Sequence, residues 1–404
     1  MYWRALMRGG KIALAMLAAL LPLLLSAVQQ QQNKVFYAIG SAELGSADSH
    51  DDVRLYEVNS TNLQILRSLS VERETPGYGA GSVWMESGML TADGDSIILD
   101  DSDPGIPLIM RVSATKLVVA SEINLSSLHT RAAECADHIF VHPVTGLVYF
   151  SCDAGSNGNG FAILNLEKSS IEGDFPDLPP TPSGWPNLDL FKPQFSYDFR
   201  SDQLYVFGGD VIVLNPQNHP VDYIRARDIA SGSNLQTGKF AYTIKSLSVL
   251  PNGMLAILVK DAQTPTLAIY DPHQRKVLAH WTETHKYQKL ETHTDQRTGK
   301  PFEKPVERIA QLRLGPVPSH DGSRLFAMSE GDITLWDSQT LQELARFKAP
   351  DPPSQTQCFY AAPDGYGMWF VSRTGTVYRL DGQSGKVIEK VRLPLRPLSL
   401  IRER

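Results

Sequence analysis

One kind of polar turn recurs six times along this chain, each time just ahead of a short apolar strand. The turns are "ADGD" (92–95), "HPVTG" (142–146), "DFRSD" (198–202), "LPNG" (250–253), "SHDG" (319–322) and "APDG" (362–365). Asp-Gly and Asn-Gly supply the positive φ that reverses a strand. The strands that follow are "SIILD", "LVYFS", "LYVFG", "MLAIL", "RLFAM" and "MWFVS". A second polar turn recurs further on: "EVNSTNLQ", "RVSATKL", "NLEKSS", "NPQNHP", "YDPHQRKV", "WDSQTLQ" and "LDGQSGKV". The repeating unit is therefore four short strands, A to D, with tight turns between A and B and between C and D. Short apolar strands without a helical period argue against a helical solenoid.

The second turn occurs seven times and the first only six. The shortfall lies at the ends. "KVFYAIG" (34–40) reads as a B strand with no A strand before it, and "LRPLSLIRER" (395–404) reads as a strand with no unit of its own. Pairing the two predicts an all-β fold: a seven-bladed β-propeller of four-stranded antiparallel blades, closed by the C-terminal strand joining the N-terminal blade. Such closure removes exposed sheet edges. The propeller is expected over 29–404.

"TLWDSQTLQELARF" (334–347) and "VYRLDGQSGKVIEKV" (377–391) carry an apolar strand, Asp, a polar turn and another strand. In this the chain resembles the YVTN and WD40-like propellers, in particular the quinoprotein amine dehydrogenase-like superfamily, over nearly all of 34–404. The resemblance implies the fold and leaves the activity open, because propellers host many functions. The full Gly-His of a WD40 blade and the repeated tryptophan pattern of pyrroloquinoline-quinone enzymes are missing, so no cofactor is implied.

A-to-B and C-to-D turns share one face of a propeller; B-to-C and D-to-A loops share the other. The long segments 40–52, 70–82, 177–193 and 282–308 all fall on the second, long-loop face, where binding or chemistry is expected. In 282–308, "YQKLETHT" and "KPFEKPVE" flank "DQRTG". This segment reads as a charged hairpin arm inserted between blades 5 and 6, suited to a protein partner, or as a disordered insertion.

Basic residues fall where inner strands begin: Arg131, Lys192, Lys239, Lys245, Arg308 and Arg396. With Tyr78, Trp185, Phe240 and Tyr242 they are expected around the channel mouth, favouring a small anionic ligand. "DDSDPG" (100–105) sets Asp100, Asp101 and Asp103 in an oxygen-rich loop, a weak Ca²⁺ signal set against ordinary solvated turns. His138 and His142 share a strand face without an evident third ligand. Cys135 and Cys152 bracket the third A–B hairpin, where a disulfide depends on register. Cys358 is expected to be a small buried residue. No serine-hydrolase elbow, zinc-protease, c-type haem or phosphate-loop motif is present.

Residues 1–28 place Arg4, Arg8 and Lys11 before an apolar run, Ile12–Leu25, and then Ser26-Ala27. They read as a signal peptide or N-terminal membrane anchor, putting the propeller in the periplasm or outside the cell. A net charge of −6, with no concentrated basic face, argues against nucleic acid. The function expected from these features is an exported, non-catalytic binding propeller that uses its long-loop face for a protein or ligand. Two alternatives stand beside it: a large-subunit-like component of a periplasmic amine dehydrogenase-type oxidoreductase, and a propeller hydrolase or lactonase.

Overall fold

The computed structural model describes residues 35–41, 53–59, 64–71, 88–101, 108–130, 138–151, 160–175, 182–188, 190, 192–230, 242–261, 265–294, 297, 300–310, 312–329, 331–351, 359–361, 367–372, 374–392 and 396–401. Among them are seven four-stranded antiparallel sheets and one two-stranded hairpin. In six blades the A strand is innermost and the order follows the chain. Blade 1 is the exception. Its strands Val35–Ser41, Val53–Asn59 and Ile65–Ser70 take Arg396–Ile401 as their inner neighbour. That pairing is antiparallel, from Tyr37↔Ile401 to Ser41↔Arg396, with an irregularity at Ile39/Gly40. Pro397 sits opposite Gly40 at this irregularity. A proline fits there because an inner strand has one edge free of ladder bonds.

The inner strands touch one another in chain order. Gly88–Leu90 meets His138–Val141, then come Gln194–Asp198, Tyr242–Val249, Leu312–Pro318 and Phe359–Ala361; Arg396–Ile401 touches Met368–Val371 on one side and Gly88–Leu90 on the other. Seven apolar clusters fill the seven spaces between neighbouring blades. The last of these joins blade 7 to blade 1, where Phe36 meets Trp369 edge-on at 4.6 Å. Gly88 shows why a small residue is needed where blade 2 meets the C-terminal strand. A Cβ there would lie 2.5 Å from Ile401 Cδ1 and 2.8 Å from Leu99 Cδ2.

The repeated turns explain the repeated sequence. In the A–B turns, Gly94, Gly146, Gly253 and Gly322 all have positive φ, and Asp202 takes that place in blade 4 at φ 54°. In the C–D turns an Asp or Asn at the end of strand C accepts the backbone N–H groups of the residues that follow. Asn165, Asn215, Asp271, Asp337 and Asp381 all do so. Each of these turns frees otherwise unpaired donors from dependence on water.

Asp337 accepts from the N–H groups of Gln339 (3.0 Å) and Thr340 (2.9 Å) and from the Thr340 hydroxyl (2.9 Å). Asp337→Ala should cost about 1 kcal/mol in denaturant unfolding. The Thr340 N–H, foremost among its partners, holds the Asp337 carboxyl below the usual 3.8. Its contribution is therefore present above that value and lost as pH falls through the lower, folded value. Between about pH 6 and about pH 3 the parent should lose more stability than Asp337→Ala; equal losses would refute the assignment.

A two-stranded hairpin lies between blades 5 and 6. Lys286–Thr294 pairs with Pro301–Ile309, from Lys286↔Ile309 to Thr294↔Pro301. Its foot is fixed by Glu283, which is 1% exposed. Glu283 pairs with Arg346 at 3.2 and 3.3 Å and accepts the His285 N–H at 2.8 Å. Among the described residues no helix is long and apolar enough to cross a membrane.

Candidate functional site

Where blade 4 meets blade 5, at the long-loop end of the inner strands, the fold gathers three lysines. Lys192 precedes Pro193 and the inner strand Gln194–Asp198. Its φ of 54° is uncommon for a long side chain. Such backbone outliers concentrate at functional sites. The turn is tied to blade 3, since the Pro193 carbonyl accepts the fully buried Ser151 hydroxyl. Lys245 lies within the irregularity between Ile244 and Ser246 of the inner strand Tyr242–Val249. The Ile244 N–H beside it donates to the Gly209 carbonyl of blade 4 at 2.9 Å, docking the two blades at this level. Lys260 closes the group from strand B of blade 5, opposite Thr243.

Neither Lys245 nor Lys260 has an ion-pair partner among the described residues. Lys245 is exposed at the surface, but partial desolvation by its surroundings pushes its ammonium below the ordinary lysine value, and the charges of Lys260 and Lys192 push it further. Cations held close in this way repel one another, and an arriving anion relieves that repulsion. The same charge stabilises an oxyanion as it develops on a substrate.

Of the residues expected at the channel mouth, Lys192 and Lys245 lie within electrostatic reach of each other. Tyr242 opens the same inner strand and packs against the apolar cluster of blades 4 and 5. Trp185 is elsewhere, which corrects the expectation for it. Its ring lies 4.8 Å from Tyr223 of the outermost strand of blade 4, so it serves packing between blades. Arg308 is also displaced from its expected place. It is exposed on the second strand of the arm, opposite Tyr287. Arg396 opens the C-terminal strand opposite Ser41, and its side chain lies outside the described residues. Tyr78, Arg131, Lys239 and Phe240 also fall outside them.

Asp100 is fully buried near the end of a strand, opposite Ile109, and is not the solvated loop carboxylate expected from the sequence. The side chain of Asp101 and all of Asp103, Cys135, Cys152 and Cys358 lie outside the described residues. Among the described residues no three His, Cys, Asp or Glu side chains gather as a metal site. His142 is buried in its turn, where Nδ1 accepts the Val144 and Thr145 N–H groups. Sequence reasoning misses Lys260. Its one signal is a lysine closing the apolar strand "LAILVK" on the loop side, opposite a strand that carries Lys245.

No family model and no curated protein matches the sequence. Solved structures match its fold. A protein of Bacteroides uniformis that bears the name 6-phosphogluconolactonase has a TM-score of 0.55 at 11% identity, covering 91% of this chain and 99% of that one. The periplasmic gluconolactonase PpgL of Pseudomonas aeruginosa has a TM-score of 0.53 at 10% identity, covering 91% and 98%. The dihydro-heme d1 dehydrogenase NirN has a TM-score of 0.50 at 12% identity, covering 91% and 75%. At these identities the likeness establishes the β-propeller. The expected non-catalytic binding role is corrected, because neighbours that share nearly the whole fold carry lactonase names.

Proposed function

We propose that this propeller hydrolyses lactones that carry an acidic group, at the long-loop end of blades 4 and 5. The observation that carries this reading is the trio Lys192, Lys245 and Lys260, with no carboxylate against Lys245 or Lys260 among the described residues. The lactonase names of the structural neighbours support the same reaction class. In the reaction, water adds to the acyl carbon and the ring C–O bond breaks. The ring oxygen leaves with one of the water protons as a hydroxyl, and the acyl group is released as a carboxylate, its other proton passing to solvent. Negative charge grows on the carbonyl oxygen in the transition state, where a preorganised cation does most for the rate. An acidic substituent on the substrate would be held by the other ammonium groups. The finer membership in the quinoprotein amine dehydrogenase-like superfamily fits this reading, since that architecture hosts varied chemistry. So does export through residues 1–28, in keeping with a periplasmic neighbour.

A pH-stat assay with glucono-1,5-lactone and its 6-phosphate tests the proposal. Hydrolysis should exceed the spontaneous rate and favour the phosphorylated lactone by about tenfold or more in kcat/KM, the worth of one charge-assisted contact. Spontaneous rates with both substrates would overturn it.

A further inference from the structure

A second site lies on the opposite, tight-turn face, and it rests on a tyrosine hydroxyl without a partner among the described residues. Three blades carry a tyrosine at one equivalent place in strand B. Tyr37, Tyr149 and Tyr205 pair with Glu57, Ile163 and Val213, each two residues before the Asn that ends strand C. Tyr37 donates to the Ala114 carbonyl in the C–D turn of blade 2. Tyr149 donates to Asn218, the left-handed residue in the C–D turn of blade 4. The left-handed residue in the C–D turn of blade 5 is Arg275, which lines the same cleft as Tyr205. An arginine cannot accept a hydrogen bond, and this one turns aside to Asp222 at 2.7 Å. Tyr205 is 1% exposed, and its hydroxyl has no hydrogen-bond partner among the described residues.

The hydroxyl is not one of the fully enclosed polar atoms left without a partner, and phenylalanine would fill the same space in the ring's packing. Tyr205 instead lines a cleft of about 320 Å³ between blades 4 and 5. Asp198, Gln203, Asp222 and Arg275 line it too, against walls that include Val213 and Ile224. The size falls at the lower end of small-molecule sites. Both acceptors and donors line the cleft. Two carboxylates oppose an anion, and Arg275 opposes a simple ammonium. Hydroxyl groups, which both donate and accept, suit such a lining.

We propose that this cleft binds a neutral polyhydroxylated molecule of monosaccharide size, with the Tyr205 hydroxyl as a central contact. The site is separate from the lysine trio and does not depend on the lactonase reading.

Calorimetric titration of the full chain with D-glucose, myo-inositol and methylammonium tests it. At least one of the two polyols should bind. Tyr205→Phe should weaken that binding about tenfold, the equivalent of one hydrogen bond, while its ligand-free melting temperature holds or rises. Val221→Trp, at the 44%-exposed rim, should block the cleft without touching the core. Lactone turnover should be unchanged in both variants. Absence of polyol binding, unchanged affinity in both variants, or preference for methylammonium would each overturn the proposal.

Discussion

A chain ending at Leu395 should show no cooperative unfolding transition and should elute as aggregate. Residues 396–401 supply the whole inner strand of blade 1, through five backbone pairings with Val35–Ser41. Ile401 is 1% exposed and belongs to the cluster that joins blades 1 and 2, with Tyr37, Ile39, Leu90 and Leu99. Losing one such side chain costs about 2–5 kcal/mol. Each lost net hydrogen bond adds about 1 kcal/mol. The sum reaches the entire net stability of a domain, about 5–15 kcal/mol. The loss also opens two flaws at once. Val35–Ser41 becomes a bare edge, a template for aggregation, and Gly88–Leu90 loses the neighbour against which Gly88 is fitted. Ile401→Ala is the graded version and should cost about 2–4 kcal/mol with the ring intact. Near-ultraviolet circular dichroism, thermal melting and size exclusion read both variants. A truncated chain that melts like its parent would show that the C-terminal strand does not hold blade 1.

This dependence on the chain end is legible in the residues alone, because a count of turns leaves one strand too few at one end and one too many at the other. The Asp and Asn residues of the C–D turns are legible for a related reason. A turn must satisfy its own backbone donors with local side chains, so Asp271, Asp337 and Asp381 recur at fixed offsets from their strands. Contacts between blades are a different matter, since they depend on relative height around the ring. Trp185 cannot be placed by its position in a long loop; it is fixed by Tyr223, thirty-eight residues on, which in turn lies under Arg275 at 5.0 Å. Tyr205 looks like Tyr149 in sequence. They differ only in what the next blade offers, an Asn that accepts or an Arg that cannot. The lysine site lies between these extremes. Lys192 and Lys245 stand at recognisable inner-strand positions, whereas Lys260 joins them through the register of strands A and B. Composition and periodicity carry no information about that register.

Lys245→Met should lower kcat/KM for a phosphorylated lactone by about 100- to 1,000-fold, the usual consequence of removing one donor to an oxyanion. Lys260→Met should cost about tenfold, as one charged contact further out. Stability separates this role from a structural one. A lysine whose pKa is depressed by partial desolvation and by like charges opposes folding while it stays protonated. Removing that charge should leave the melting temperature unchanged or raise it. The pH profile gives a second readout. If the Lys245 ammonium is the working form, activity is present below its folded pKa and declines as pH rises through it, at a pH below the ordinary lysine value of 10.5. Lys260→Met removes one of the charges that depress it, so the alkaline limb should move to higher pH, after subtraction of spontaneous hydrolysis. Full turnover in Lys245→Met would end the case for this ammonium at the reacting carbonyl. An alkaline limb that ignores Lys260 would show that the three charges do not act as a group.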